Sequence, residues 1–324
     1  MADADRLFSD DLATARARFL TACDKIGLRV ASYPGRGPAP ADDGPLYCDV
    51  ARLGSPEATR MLVLCPAGAG GAGFAGAAAV LGVLSGGLIR DLPRDVSCLL
   101  IHAVNPLGPI WPDRPDAPPP ASSAGNAPGP GDGAPLTADW DDGVLSAAER
   151  RFAAYEEAQR FDRERLAGRT LAELAPPAWD AAVLQAIADA HFPGKRKLLF
   201  IDVRTGPGPF GDIEFIAPKQ AGAGAPETAQ RWLGLPLAGG SEGLAEARAP
   251  TAGGLPALAR APALETSCVV LEAGVYSMAT LLQASGPAKS GAGAAYPRDR
   301  LWREQVWDAA ADLIRRGFNG LAAA

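Results

Sequence analysis

Histidine is nearly absent from this chain: His102 and His191 are the only two among 324 residues. A histidine-based metal centre would need one of them to meet carboxylates in a suitable geometry, and neither has a metal-ligand pattern around it. No C-x-x-C pair is present. The five cysteines (Cys23, Cys48, Cys65, Cys98, Cys268) are odd in number, widely spaced and mostly set in apolar segments. That suits buried thiols in a reducing compartment rather than a disulfide framework. The opening Met1-Ala2-Asp3-Ala4-Asp5 lacks the positive and apolar regions of a secretory signal, so the cytoplasm is the expected location. The longest apolar stretch, Phe74 to Ile89, is too short to span a bilayer and reads as a buried helix. Neither charge dominates: 31 basic and 37 acidic residues are scattered to a net −6, so no basic footprint points to nucleic acid and no membrane partner is expected.

What is present is a chain of 48% hydrophobic residues, long enough for one large core. Its pattern is α/β. A first helix is expected after Ser9 as N-cap, with Leu12, Ala15, Phe19 and Cys23 on one face. Two short strands, 28–33 and 46–52, fit an antiparallel edge across a Pro/Gly turn. Met61 to Cys65 and Val96 to Val104 are continuous apolar runs joined by the helix 74–89, a β-α-β unit. Loops beyond the C-terminal ends of such strands form the rim where open α/β sheets bind ligands. Helices are expected near 144–166 and 179–191, strands at 197–203, 213–216 and 268–271, and a closing amphipathic helix at 298–318. The stretch 228–263 reads as loop-rich. Eight Pro and four Gly between Pro112 and Pro135 predict a mobile loop. The α/β pattern resumes beyond it, so residues 1–324 are expected to form one domain.

Gly68, Gly70 and Gly73 match G-x-G-x-x-G between a strand and a helix, which opens the reading of a nucleotide-binding loop spanning Gly68 to Gly73. That fingerprint also needs an acid at the end of the second strand to hold a ribose. Here that end reads His102-Ala103-Val104-Asn105.

Several motifs in order carry a more specific resemblance: F-S-D (Phe8 to Asp10), C-P-A-G-A-G-G-A-G-F-A-G (Cys65 to Gly76), H-A-V-N-P (His102 to Pro106), I-D-V-R-T-G-P-G-P-F-G (Ile201 to Gly211) and V-V-L-E-A-G (Val269 to Gly274). Together they resemble a bacterial family of zinc-carboxypeptidase-like proteins catalogued as a domain of unknown function. The resemblance implies a three-layer α/β/α fold with a mixed, largely parallel sheet. It also implies two zinc ligands in the turn after the first buried strand, and a third in a D-L-H-T-G motif. The matching positions here are Ala69, Ala72 and Arg204. An alanine has no donor atom and a guanidinium is permanently cationic, so no catalytic zinc and no cofactor are expected.

Glu272 matches the family's presumed general base. It either stands as a buried or rim carboxylate or pairs with Arg204, filling the vacated site. The family's substrate-carboxylate residues should fall between Trp111 and Trp140, where only Arg114 lies near a matching position. The expected ligand-binding set is therefore Arg204, Arg114, Glu272 and Asn105. The leading functional expectation is a pseudoenzyme that binds a carboxylate-bearing small molecule, a peptide end or a protein partner in the former cleft. The competing one is a hydrolase with a rebuilt metal site, or with Cys65 as nucleophile and His102 as base.

Overall fold

The computed structural model describes residues 4–9, 11–34, 47–66, 73–102, 179–206, 210–217, 225–239, 258–259, 264–274 and 297–324. In chain order they form α1 (Leu12–Lys25), β1 (Val30–Pro34), β2 (Tyr47–Leu53), β3 (Arg60–Leu64), α2 (Gly73–Ser85), β4 (Val96–His102) and α3 (Trp179–His191). There follow β5 (Lys197–Gly206), β6 (Ile213–Ala217), α4 (Ala225–Leu233), β7 (Ala238–Gly239), β8 (Glu265–Gly274) and α5 (Arg300–Ala323). The strands make one mixed sheet in the order β1-β2-β4-β3-β5-β8-β6-β7. Its middle, β4-β3-β5-β8, is parallel, and β2 and β6 flank it antiparallel.

The parallel centre follows from its sequence. Strands with apolar residues on both faces must be covered on both. Alternate residues divide between two apolar clusters. Leu62, Leu64, Leu100, Leu199, Ile201, Val269 and Leu271 pack with α1, α2, α4 and α5. Met61, Val63, Leu99, Ile101, Leu198, Phe200 and Cys268 pack with Val183, Leu184 and Ile187 of α3. The β-α-β unit predicted from 61–104 is β3-α2-β4, with β3 and β4 parallel. The expected antiparallel edge is β1 against β2. Among the described residues no helix is long and apolar enough to cross a membrane.

Several elements differ from the sequence reading. The N-cap of α1 is Asp11, whose carboxylate accepts from Thr14 N, and not Ser9. Ser9 Oγ and the Phe8 carbonyl instead accept hydrogen bonds from Arg18 Nη1, which ties the segment before the helix back onto it. The helix predicted to Ile89 stops at Ser85, where Gly86 and Gly87 break it and Leu88–Asp91 continues as a 3-10 turn. Overlapping the start of the segment read as loop-rich, α4 forms with Pro226 in its first turn and Ala229, Trp232 and Leu233 buried. The helix expected at 144–166 and the loop at 112–135 lie outside the described residues.

Two contacts brace the rim where β5 and β8 end. Trp302, fully buried in α5, donates its indole N–H to the Gly274 carbonyl at 2.9 Å, fixing the end of β8. Gly76 brings α2 against Pro66, just after β3, and against β5: a Cβ there would lie 2.1 Å from Pro66 Cβ and 2.5 Å from the Val203 carbonyl oxygen. The glycine of the G-F-A-G motif is therefore required by close approach of helix to sheet.

Candidate active-site cleft

Side chains on neighbouring strands meet when their residues are in register. Arg204 of β5 is opposite Glu272 of β8, and Glu272 is opposite Glu214 of β6. Asp202 precedes Arg204 by two, so the strand period of two sets both on one face. That face is the one covered by α3, as the alternation from Leu198 and Phe200 shows. A charged row thus crosses three strands near their rim ends: Asp202 and Arg204, then Glu272, then the exposed Glu214.

Arg204 is 7% exposed and Glu272 4%, and Arg204 Nε donates to Glu272 Oε2 at 3.3 Å. The pair anticipated from the sequence is formed. Arg204 Nη1 lies 3.9 Å from Asp202 Oδ2, an ion pair too long for a hydrogen bond. The guanidinium is therefore oriented through Nε, and its terminal nitrogens carry no hydrogen bond among the described residues. Asp202 and Glu214 were not singled out from the sequence, although the period of two places Asp202 beside Arg204.

Cys65 and His102 do not form a catalytic pair, which corrects that alternative. Both stand at the C-terminal rim, but Cys65 belongs to the cluster under α3 and His102 points to the other face, where it stacks on Phe19 with ring centroids 5.2 Å apart. The Cys65 thiol lies 3.7 Å from the carbonyls of Val63 and Ile201, to which it donates. Burial pushes it well above the ordinary thiol range, and Cys268 and the charge of Asp202 push the same way. A thiol held protonated in this way is no nucleophile. Burial likewise lowers His102 to about 4, with Arg16 adding to the effect and Asp49 opposing it.

On that second face lies a cluster the sequence reading missed. Asp49, fully buried, accepts from Arg16 Nε at 2.6 Å, Arg16 Nη2 at 3.2 Å and Ser32 Oγ at 2.5 Å. It joins α1, β1 and β2 and satisfies its own charge, as a structural ion pair does. The partial signal was the single acid within the otherwise apolar run 48–51.

Ala69, Ala72, Asn105 and Arg114 lie outside the described residues, as do Gly68 and Gly70; Gly73 opens α2. Among the described residues no group of three or more His, Cys, Asp or Glu is arranged to hold a metal ion.

Comparison with known proteins gives the following. No curated protein matches the chain. A solved glutaminyl cyclase from Fimbriiglobus ruber is 10% identical, with 98% of this chain and 91% of that chain covered and a TM-score of 0.46. A protein from Shewanella frigidimarina assigned as a succinylglutamate desuccinylase/aspartoacylase is 17% identical, with 80% and 69% covered and a TM-score of 0.37. A family profile described as a protein of unknown function, DUF2817, matches residues 8–116 and 175–309, most of the chain. The chain, a mixed α/β protein with a charged row at the rim of its parallel strands, belongs to the DUF2817 family.

Proposed function

We propose that this chain is a non-catalytic member of its family, built on a zinc-carboxypeptidase-like α/β/α scaffold. In this reading the cleft at the rim of β5 and β8 binds a carboxylate-bearing small molecule or a peptide C-terminus. The observation that carries the proposal is the state of Arg204. The sequence resemblance sets it at the third zinc-ligand position, and a guanidinium has five N–H donors, no lone pair and a permanent positive charge. Zinc does not fit beside it. Glu272, the residue resembling the general base, is engaged by Arg204 Nε, where it would be needed to draw a proton from water.

Binding is what the arrangement supports. Glu272 fixes the guanidinium plane from one nitrogen, so little further ordering is needed when a carboxylate meets the terminal nitrogens. A planar fork of this kind distinguishes a carboxylate from a neutral amide. Arg114 and Asn105 remain candidates for completing the site from the segment after β4. A protein partner that presents its own C-terminus offers the same chemistry.

Two measurements test the reading. Zinc is quantified in protein expressed with added zinc, for the wild type and Glu272→Ala. Well under one zinc per chain is expected in both, and one tightly held zinc, lost in the variant, would restore the hydrolase. Calorimetric titration with N-acetylglycine is expected to show binding to the wild type that is at least tenfold weaker in Arg204→Gln. Equal affinity in the two would remove Arg204 from the site.

A further inference from the structure

At the opposite rim, where β3 and β5 begin and Arg60 and Lys197 are paired with Asp95 and Glu265, three further basic side chains have no bonded acid among the described residues. Arg52 on β2 donates from Nη2 to Nδ1 of His191, the last residue of α3. Lys195, 8% exposed, donates from Nζ to the carbonyls of Pro56 at 2.6 Å and Ala58 at 2.7 Å. They come from two parts of the chain: Arg52 from β2, and His191 and Lys195 from the end of α3 and the turn that follows it. Among the described residues none of them is in an ion pair. The acid whose charge reaches both Arg52 and Lys195 is Glu57, which is exposed and bonds neither.

Two donors of the group are unused. Arg52 Nε and His191 Nε2 are both buried without a hydrogen-bond partner among the described residues. Nε and Nη2 form one edge of the guanidinium, the edge that fits two oxygens of an oxyanion. Here that edge spends Nη2 on a neutral imidazole nitrogen and Nε on nothing. Because His191 Nδ1 accepts from Arg52, the proton of the neutral ring sits on Nε2, a second donor. Complementing the C-terminal dipole of α3 calls for about one half of a positive charge, and two full ones are present.

We propose that this corner is a binding site for a phosphate group, with Arg52 as its anchoring side chain, His191 Nε2 as a second donor and Lys195 supplying charge. Two cations at one half-buried corner match a phosphate dianion better than a single carboxylate. Arg52 is part-exposed, so the guanidinium is reachable from solvent although its Nε is covered. Burial lowers Arg52, Lys195 and His191 alike, positive neighbours lower the last two further, and the charge of Glu57 opposes the shift at Arg52 and Lys195.

The test uses the full chain with inorganic phosphate, and with glycerol phosphate as a phosphomonoester, at constant ionic strength and pH 7. Melting is followed for the wild type, Arg52→Gln and Arg315→Gln, the last removing a surface arginine paired with Asp91 on another part of the molecule. Expected is a saturable rise of about 2–4 °C by 20 mM in the wild type and Arg315→Gln, absent in Arg52→Gln. The tighter of the two probes identifies the source of the phosphate. Neither probe raising the melting temperature, or a rise retained in Arg52→Gln, would overturn the site. If Arg52→Gln fails to fold, the decision passes to the wild-type imidazole NMR signals, of which the chain has two. Phosphate must move the His191 signal and leave that of His102, and a still His191 signal refutes the proposal.

Discussion

Acid should destabilise this protein through His102, and substituting that residue should remove the effect. The ring is 1% exposed, lies between Phe19 and the sheet, and has no hydrogen-bond partner on either nitrogen among the described residues. The charged groups that act on it are Asp49 of β2 and Arg16 of α1, which already bond each other. With the folded value lowered to about 4 and an unfolded value of 6.5, the unfolded chain binds more protons between those two points. Stability is therefore full above pH 6.5 and falls as pH drops towards 4, by about 2.5 kcal/mol between pH 7 and 4.5. In His102→Leu this contribution is absent. At pH 7 the variant should be as stable as the wild type or more so, because two unpaired nitrogens leave the core. Urea unfolding followed by circular dichroism at pH 7, 6, 5 and 4.5 reads the difference between the two proteins. The comparison cancels His191, which is also lowered to about 4 and is common to both. A wild-type-minus-variant difference that stays constant with pH would show that His102 titrates normally and that the buried, unpartnered ring is wrong.

Other outcomes follow from the rim and the core. Arg204→Met leaves Glu272 without its guanidinium in a buried setting and should cost about 3–5 kcal/mol in urea unfolding, with Arg204→Met/Glu272→Leu recovering most of it. Strict additivity of the two single changes would mean that the pair is not coupled. Gly76→Ala should destabilise by about 1–3 kcal/mol, since its Cβ would need Pro66 or the Val203 carbonyl to move. An unchanged melting temperature would place α2 farther from the sheet. A thiol reagent at pH 8 should leave native Cys65 unmodified for hours, with all five cysteines reacting once the chain is unfolded. Rapid native labelling of Cys65 would reopen its candidacy as a nucleophile.

The sequence reading erred where tertiary contacts recruited polar residues. The strand read as Cys268 to Leu271 runs from Glu265 to Gly274, and its polar flanks are the reason. Glu265 pairs with Lys197 at 3.2 Å and Arg231 at 2.6 Å, and Glu272 pairs with Arg204. A pattern of apolar residues cannot register a strand extended by partners on its neighbours. Ser9 lost the N-cap for the same kind of reason, because Arg18 had taken its hydroxyl. The helix α4 is nine residues long, too short a window for its apolar face to stand out in a stretch rich in Gly, Ala and Pro.

By itself the sequence determined the parallel centre of the sheet, because continuous apolar runs 61–65, 96–104 and 197–203 have no stable environment other than between two covered faces. It also determined that Arg204 stands in the position where the resemblance expects a metal ligand, since residue identity alone makes a guanidinium unable to coordinate. Only the tertiary structure decided which side chains share a face across strands. Register brings Glu272 to Arg204 from 68 residues away. The alternation of the sheet sends Cys65 and His102, which the sequence left as a plausible pair, to opposite sides of it.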